Sequence, residues 1–400
     1  MSAEEARRAP AGRVLLALQS VTVGGMEGQC VDIAVELVGR GVEVAALVPV
    51  APAFDGLAGR FAAAGARVER LDTDARHGRV AQSVAIARVI RFMRDWRPDA
   101  VHVHTGGPTG GVALITAARI ATSATVVLTE HNVPFAEPGT RLRLATRLKD
   151  RLLHAVVTLS ARNAALRRTW LGEPRNFVGI PPGIRIAEVD PDVRAAHRAR
   201  IRDSLGIPTS AVVIACVARL ADEKGLDDLM RAFAQVRLNA PCCLLLIGDG
   251  PLRDHLHALS AELAVADNIH FLGHQLDPAP FLDASDVFAL AAPLGSGSVA
   301  LLEAMARGLP SVITYCGPGE FLVPDQTGLC APPADPVGLA RELLRLVQDA
   351  DRRADLGARA AVRAREKFRI ENVARDLLDV YASAKTGIPE RLRASRLLTW

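Results

Sequence analysis

The 400-residue chain is half hydrophobic and 23% charged, which is the balance of a globular protein long enough for two domains. Its formal charge of +4 excludes the strongly basic footprint of a nucleic-acid-binding protein, yet it suits anionic small molecules or an anionic membrane surface. The N-terminal segment MSAEEARRAPAGR has no apolar core of a signal peptide, and no uncharged apolar stretch reaches the ~18 residues of a membrane span. We therefore expect a cytoplasmic protein.

Short apolar runs alternate with helical patterns through the first half of the chain. The run Arg13–Ser20 ends in a glycine-rich turn, and a helical pattern follows from Cys30 to Arg40. A second run at Val42–Pro49 completes a βαβ unit. The other strands predicted in this half are Ala66–Leu71, Ala100–His104, Thr125–Thr129 and Ala155–Leu159. Because these runs are apolar almost throughout, they indicate a parallel sheet covered on both faces.

The alternation stops at Asn176–Asp192, where prolines, glycines and charges predict a linker, and a basic helix at Arg194–Leu205 follows. The strands predicted beyond it are Ala211–Leu220, Cys243–Ile247, Ile269–Leu272, Val287–Leu290 and Ser311–Ile313. Arg-rich helices fill Pro336–Ala384. The sequence therefore predicts two α/β halves, each with a parallel sheet.

Nothing in the sequence predicts a metal site. The cysteines form no CxxC pair, so we expect reduced, buried thiols: Cys30, Cys216, Cys242, Cys243, Cys316 and Cys330. His102 and His104 share one face of a strand, but no further ligands cluster with them, which favours packing. The strings LDTD (71–74) and VDPD (189–192) are interpreted as loop aspartates rather than as ligands of a divalent ion.

One loop pairs two cations. Ligands of an open parallel sheet bind beyond the carboxyl ends of its strands, so the loops after strands are the candidate sites. In VARLADEKG (217–225), Arg219 and Lys224 lie five residues apart in a turn before a helix. Both could converge on one anionic group, the guanidinium as a planar fork and the ammonium as a point charge. The alternative is a solvated loop with Lys224 beside Glu223.

The turn after the first strand carries Gly24 and Gly25. A backbone without Cβ can approach a phosphate closely, and the N-terminus of the following helix favours anions. Tight turns also require glycine, and neither a GxGxxG nor a P-loop sequence is complete here.

A second phosphate candidate lies in GSGSVALLEAMARGLP (295–310). Ser296 or Ser298 is predicted to cap a helix from about Val299 to Arg307, and the amides near Ser298 and Val299 are free to receive an anion. Glu303 lies in the middle of this helix. It either forms an i,i+4 ion pair with Arg307, worth about 0.2–0.5 kcal/mol, or accepts hydrogen bonds from ligand hydroxyls.

Two features of the first half have both a functional and a structural interpretation. His131, in VLTEHN, lies just past a strand end, where it either reaches a ligand or caps a loop. In Thr140–Ala155, a row of arginines (Arg143, Arg147, Arg151) runs beside a row of leucines (Leu144, Leu148, Leu152). Such a helix can lie on anionic lipid. The alternative is a core helix with a solvated basic face.

Taken in order, these segments resemble the retaining glycosyltransferases of family 4, the group 1 class with the GT-B fold. The resemblance runs from Gly12 to about Ala384, and the more specific segments lie in the second half: VARLADEKGLDDLMRAFAQV, LLLIGDGPLRDHL, IHFLGHQLDPAPFLDASDVFALAAP, ALLEAMARGLP and GPGEFLVPDQTGLCAPPADP. It implies an α/β protein of two Rossmann-like domains facing each other across a cleft. The expected parts are an acceptor-side domain at 12–182, a donor domain at 183–368, a helix at 369–386 that crosses back to the first domain, and a tail at 387–400.

The resemblance implies roles for individual residues of the second half. Arg219 and Lys224 would bind the donor diphosphate. Glu303, the second Glu of the family's E-x7-E motif, would hold the nucleotide ribose, and the backbone around Gly273 and His274 would border the base.

In the first half, the resemblance places Gly24 and Gly25 in the paired-glycine loop, with Gly25 near the phosphate and the transferred sugar. His131 would lie near the reacting sugar.

One position departs from the family pattern. Gly295 stands where the first Glu of E-x7-E is expected, near the donor sugar's hydroxyls. Three explanations remain open: a different donor sugar, replacement of the carboxylate by the backbone amides of Gly297 and Ser298, or impaired transfer.

The expected function is transfer of a sugar from a nucleoside-diphosphate sugar to a hydroxyl acceptor with retention of configuration, without metal or cofactor. The expected acceptor is lipid-linked or a glycan, in cell-envelope glycan or polysaccharide biosynthesis, with the protein peripheral on the inner face of the membrane. The alternative is a non-catalytic nucleotide-sugar-binding scaffold, which Gly295 motivates. Intact ARLADEKG and ALLEAMARGLP disfavour a sugar-nucleotide epimerase.

Overall fold

A computed structural model describes residues 12–20, 23–71, 78–108, 110–132, 137–186, 188, 190–292, 298–314 and 321–395. The chain divides into two compact units. The first comprises Met1–Gly183 together with Ile370–Trp400, and the second comprises Ile184–Arg369. Each unit is described by itself.

The described strands and helices alternate along most of the chain. The strands are β1 (Arg13–Gln19), β2 (Glu43–Pro49), β3 (Arg67–Leu71), β4 (Ala100–Thr105), β5 (Thr125–Glu130), β6 (Ala155–Thr158), β7 (Phe177–Gly179), β8 (Val212–Val217), β9 (Cys242–Ile247), β10 (Ile269–Phe271), β11 (Val287–Leu290), β12 (Ser311–Ile313) and β13 (Leu329–Cys330). The helices are α1 (Gly25–Gly39), α2 (Asp55–Ala63), α3 (Gly78–Trp96), α4 (Val112–Ala121), α5 (Thr140–Asp150), α6 (Ala161–Leu171), α7 (Pro191–Ser204), α8 (Leu226–Arg237), α9 (Arg253–Glu262), α10 (Ala279–Asp283), α11 (Val299–Ala306), α12 (Pro336–Val347), α13 (Ala350–Lys367) and α14 (Ile370–Ser383).

The first unit contains a seven-stranded sheet in the order β3-β2-β1-β4-β5-β6-β7, with parallel pairing between neighbours. Alternate residues of β1 enter two different cores, Leu16 on one face and Leu15 on the other. This is the behaviour expected of a strand covered on both faces. Helix α14 closes one of these faces, because Leu377 and Val380 belong to the same core as Leu16.

The second unit contains a six-stranded sheet in the order β10-β9-β8-β11-β12-β13, again with parallel neighbours. Strand β8 is central, and its residues also alternate between two cores, Ile214 on one face and Val213 on the other. The prediction of two parallel α/β sheets is therefore confirmed.

Two expectations were wrong in detail. The segment predicted as a linker contains β7, in which Phe177–Gly179 is buried and pairs with β6 as an edge strand of the sheet. Three apolar residues before a proline-rich stretch are too few to show a strand period.

The expectation of six reduced thiols is also wrong, because Cys330 is disulfide-bonded while Cys30, Cys216, Cys242 and Cys243 are free. The remaining cysteine, Cys316, lies outside the described residues.

Candidate functional site

Most of the predicted donor-site residues follow strands of the second unit at their carboxyl ends. The order β10-β9-β8-β11 brings four loops side by side along this edge. Gly273 and His274 follow β10, Arg219 and Lys224 follow β8, and the helix of Glu303 follows β11. The carboxyl edge of a parallel sheet is where ligands bind in such folds, so the topology gathers these residues into one region of the unit.

The loop after β8 is held by the loop after β9. The amide of Leu220 donates to the carbonyl of Asp249 at 3.0 Å, and the amide of Leu252 donates to the carbonyl of Leu220 at 3.0 Å. Gly248 and Gly250 make this contact possible. A Cβ on Gly248 would lie 1.9 Å from the carbonyl oxygen of Ala218, and one on Gly250 would lie 2.4 Å from that of Leu220. The backbone on both sides of Arg219 is therefore fixed by residues that cannot carry a side chain.

Arg219 and Lys224 lie in the same short turn, on either side of Glu223. The Arg219 guanidinium pairs with the Glu223 carboxylate, and half of the Arg219 side chain remains exposed. Burial lowers the pKa of Lys224, the nearby positive charge of Arg219 lowers it further, and Glu223 opposes both effects. A half-buried cation beside a second cation is a site that an anionic ligand would stabilise.

Gly273 anchors the next loop along the edge. It has a positive φ of 65°, and its carbonyl accepts a hydrogen bond of 2.8 Å from the amide of Gly248. A Cβ on Gly273 would meet nothing within 4 Å, so the space in front of it is open. The next residue, His274, is exposed.

Helix α11 begins at Val299, with Ser298 at the N-cap position. The predicted hydroxyl cap is wrong for Ser298, whose side chain makes no capping hydrogen bond. Glu303 is half-buried one turn into the helix. Gly295, Ser296 and Gly297 lie outside the described residues.

Arg307, the predicted ion-pair partner of Glu303, places its guanidinium beside other groups. The Nε atom of Arg307 lies 3.4 Å from Oδ1 of the buried Asp283, and its Nη1 donates to the backbone carbonyl of Glu303 at 3.3 Å. Arg307 therefore hydrogen-bonds to a carbonyl of its own helix and pairs with a buried carboxylate of α10.

In the first unit, Gly24 and Gly25 form the start of α1. The amide of Gly24 donates to the buried Glu27 carboxylate at 2.7 Å. A carboxylate in the first turn stabilises a helix N-terminus. The Glu27 carboxylate therefore already compensates part of the positive potential at this turn.

His131 follows β5 and is 8% exposed. Its Nε2 atom lies 3.2 Å from Nδ1 of His104, at the end of the neighbouring strand β4. Burial lowers the pKa of His131 to about 3, so this imidazole is neutral at physiological pH. Within the part of the chain that the structure describes, no three His, Cys, Asp or Glu side chains group as a metal site requires.

A buried charge network that we did not predict from the sequence anchors α5. Glu130, at the end of β5, accepts from Nε of Arg167 at 3.0 Å and lies 3.7 Å from Nζ of Lys149. Arg167 also pairs with Asp150 at 2.5 Å. Burial raises the pKa of Glu130, while both cations oppose that effect. Because the four residues come from three separated segments, no local spacing could reveal the network.

This network determines which face of α5 is buried. Its buried side chains are polar, Thr146 and Lys149, whereas Leu144 and Leu148 are 60% and 51% exposed. The interpretation of α5 as a core helix is therefore wrong for these leucines. Arg147 and Arg151 are also exposed, while Arg143, which we placed in the same row, is half-buried and donates to the carbonyl of Pro138.

Two family models match consecutive parts of the chain. Residues 24–183 match the glycosyl transferase 4-like domain, and residues 197–363 match the glycosyl transferases group 1 family. D-inositol 3-phosphate glycosyltransferase of Segniliparus rotundus is 30% identical over 310 residues, covering 73% of this chain and 68% of the relative. This chain belongs to the group 1 family of glycosyltransferases.

The glycosyltransferase also resembles proteins of known structure and of envelope pathways. HepE from Anabaena, solved with UDP and glucose, superposes with a TM-score of 0.80 over 93% of this chain and 99% of HepE, at 20% identity. With the two parallel sheets, this likeness confirms the predicted GT-B fold. The lipopolysaccharide core biosynthesis glycosyltransferase LpsE of Rhizobium meliloti is 34% identical over 46% of this chain, which spans about half, 53%, of LpsE.

We expect Gly248→Ala to destabilise the second unit far more than Gly273→Ala. Both glycines have a positive φ, but only the Gly248 Cβ would overlap a backbone carbonyl. The left-handed conformation alone costs about 1–2 kcal/mol, and the overlap adds overpacking of about 1–3 kcal/mol. Differential scanning calorimetry of the two variants measures this difference. Equal Tm values would contradict the close packing of the Gly248 and Arg219 loops.

Proposed function

We propose that this glycosyltransferase moves a sugar from a nucleoside-diphosphate sugar to a hydroxyl acceptor with retention of configuration. The observation that carries the proposal is the turn after β8, where Arg219 and the partly desolvated Lys224 lie on a backbone fixed by Gly248 and Gly250. A diphosphate is the ligand class that two adjacent cations at the carboxyl edge of a parallel sheet best accommodate.

In the reaction, the bond between the sugar C1 and the diphosphate oxygen breaks, and a bond from C1 to the acceptor oxygen forms on the same face. The proton of the acceptor hydroxyl passes to the departing phosphate oxygen. Negative charge grows on the leaving diphosphate, so cations already held in place lower the barrier without rearranging. Arg219 exchanges its partner Glu223 for the diphosphate when the donor binds, before the bond to C1 breaks, and its exposed half permits this exchange.

Helix α11 supplies the second half of the donor site in this proposal. The amides at Ser298 and Val299 point their partial positive charge toward an anion. We assign the half-buried Glu303 to the ribose, whose hydroxyls would donate hydrogen bonds to its carboxylate. Gly273 and the exposed His274 border the base, where the open space in front of Gly273 leaves room for a ring.

In the first unit, we assign Gly25 to the neighbourhood of the phosphate and the transferred sugar, and His131 to the sugar itself. Because the His131 imidazole is neutral, it acts through hydrogen bonds rather than as a charge.

The acceptor side of the proposal rests on the exposed face of α5. Leu144 and Leu148 project from this helix between exposed arginines, Arg147 and Arg151 among them. Exposed leucines beside cations match the acyl and headgroup layers of an anionic lipid surface. We therefore assign the protein to such a surface, with a lipid-linked or glycan acceptor of cell-envelope biosynthesis. Among the described residues, no helix is long and apolar enough to cross a bilayer.

Removing either cation tests the catalytic proposal. After thermal-shift screening of UDP-, GDP-, ADP- and dTDP-sugars has identified the donor, Arg219→Ala and Lys224→Ala should each lower kcat/KM by about 10²–10³. Release of nucleoside diphosphate from labelled donor measures the rate. Arg231→Ala, which removes an exposed charge from α8, is the matched control and should leave the rate unchanged.

Two outcomes would refute catalysis by these residues. Wild-type rates in both variants would show that the diphosphate does not meet the turn after β8. Donor binding with neither transfer nor hydrolysis for any donor would instead favour a nucleotide-sugar-binding scaffold.

Membrane binding is tested by sedimentation with vesicles of phosphatidylcholine alone or with phosphatidylglycerol. The wild-type chain should sediment with the anionic vesicles. The double variant Leu144→Ser, Leu148→Ser should bind at least tenfold more weakly, because each leucine buried in lipid contributes about 1.5–3 kcal/mol. The control pair Leu238→Ser, Leu276→Ser removes leucines that are 88% and 94% exposed elsewhere and should bind as the wild type does. Equal sedimentation with both vesicle types would contradict the assignment.

A further inference from the structure

Three imidazoles are buried close together, two on β4 and one directly after β5. His102 and His104 are 0% and 1% exposed, and their ring centroids lie 4.0 Å apart. The rings of His104 and His131 are 5.5 Å apart. Burial lowers the pKa of each of the three histidines, so the cluster is neutral and each ring carries a single proton. The location of these protons decides what the cluster can do.

His102 has a partner for each ring nitrogen. Its Nδ1 lies 2.8 Å from the hydroxyl of Tyr381 in α14, and its Nε2 lies 2.7 Å from the hydroxyl of Thr129 in β5. Hydroxyls both donate and accept, so these contacts satisfy either tautomer. His102 is a satisfied core histidine that supports the ring of His104.

His104 is different, because only one of its nitrogens is satisfied. Nδ1 lies 3.2 Å from Nε2 of His131, whereas Nε2 of His104 is buried and has no hydrogen-bond partner. One proton must lie between the two rings. It belongs either to Nδ1 of His104 or to Nε2 of His131.

The unpartnered nitrogen of His104 decides between these two arrangements. If His131 donated, the proton of His104 would lie on Nε2, which would leave a buried N–H without an acceptor. An orphaned buried donor costs about 1–3 kcal/mol and is rare in native structures. If His104 donates, the orphan is only a lone pair. The geometry therefore favours Nδ1–H of His104 donating to Nε2 of His131.

We propose that His104 is a positioning residue that holds His131 in the Nδ1–H tautomer, so that His131 offers its substrate a hydrogen-bond donor. Its Nε2 is already occupied as an acceptor, which leaves Nδ1–H for an oxygen of the donor sugar or its phosphate. The tautomer follows from the cluster alone, whereas its catalytic use rests on the proposed function.

Nitrogen-15 NMR of the full chain, labelled with [15N]histidine, tests the tautomer directly, because protonated and bare ring nitrogens give well-separated shifts. At neutral pH without substrate, Nδ1 of His104 and Nδ1 of His131 should be protonated and both Nε2 atoms bare. The spectrum of His131→Gln assigns the His131 signals. A protonated Nε2 on His131 would overturn the proposal.

Variants at His104 test the consequence for the reaction. His104→Asn places an amide N–H near the position of Nδ1 and should keep the Nδ1–H tautomer of His131 and most of kcat. His104→Leu removes the donor, so the His131 tautomer should become mixed and kcat should fall about 10²-fold, with KM little changed. Equal kcat in both variants would overturn the positioning role. If His104→Leu fails to fold, the wild-type and His104→Asn spectra still decide the tautomer.

The two failures can be told apart. Absence of sugar transfer with every donor, together with the expected tautomer, would refute the proposed function and leave the inference about His104 standing. Sugar transfer with a protonated Nε2 on His131 would refute the inference alone.

Discussion

The proposed donor site of this glycosyltransferase depends on a backbone contact between two loops of the second unit. Gly248 and Gly250 let the loop after β9 approach the carbonyls of Ala218 and Leu220 to distances that no Cβ allows. The contact holds the backbone beside Arg219 at the carboxyl edge of the sheet, while the Arg219 side chain stays half exposed. Preorganisation of this kind matters for charge stabilisation. If a cation must be repositioned during the reaction, the free energy of that rearrangement offsets part of the stabilisation that the cation provides.

The polar side chains assigned to the site differ in exposure and charge between the two units. In the second unit, the turn after β8 keeps Arg219 half exposed beside the partly desolvated Lys224, which favours exchange of charge partners with a ligand. In the first unit, His131 is buried, neutral and hydrogen-bonded to His104. A neutral imidazole with one fixed proton directs a hydrogen bond without adding charge. We interpret the first arrangement as holding the diphosphate and the second as orienting the sugar.

The alternation of apolar runs was sufficient to predict both parallel sheets and most strand positions, because a strand covered on both faces has a composition that local sequence reveals. The β7 strand was missed, since Phe177–Gly179 is too short for a period and its stability comes from pairing with β6. The orientation of α5 was beyond local reasoning as well. Its leucines face outward because Lys149 is drawn to Glu130, a partner 19 positions earlier in the chain. Residue patterns left two interpretations open for Arg219, Lys224 and Glu303, and the family resemblance assigned them to the donor, whereas the glycines that fix the backbone beside Arg219 emerged only from the packing.

A crystal structure of the full chain with its nucleoside-diphosphate product bound tests the central claim most directly. The account predicts that diphosphate oxygens contact both the Arg219 guanidinium and the Lys224 ammonium, that the Glu303 carboxylate accepts from a ribose hydroxyl, and that the Gly248 loop keeps its place. A nucleotide bound away from the turn after β8, or a ribose out of reach of Glu303, would contradict it.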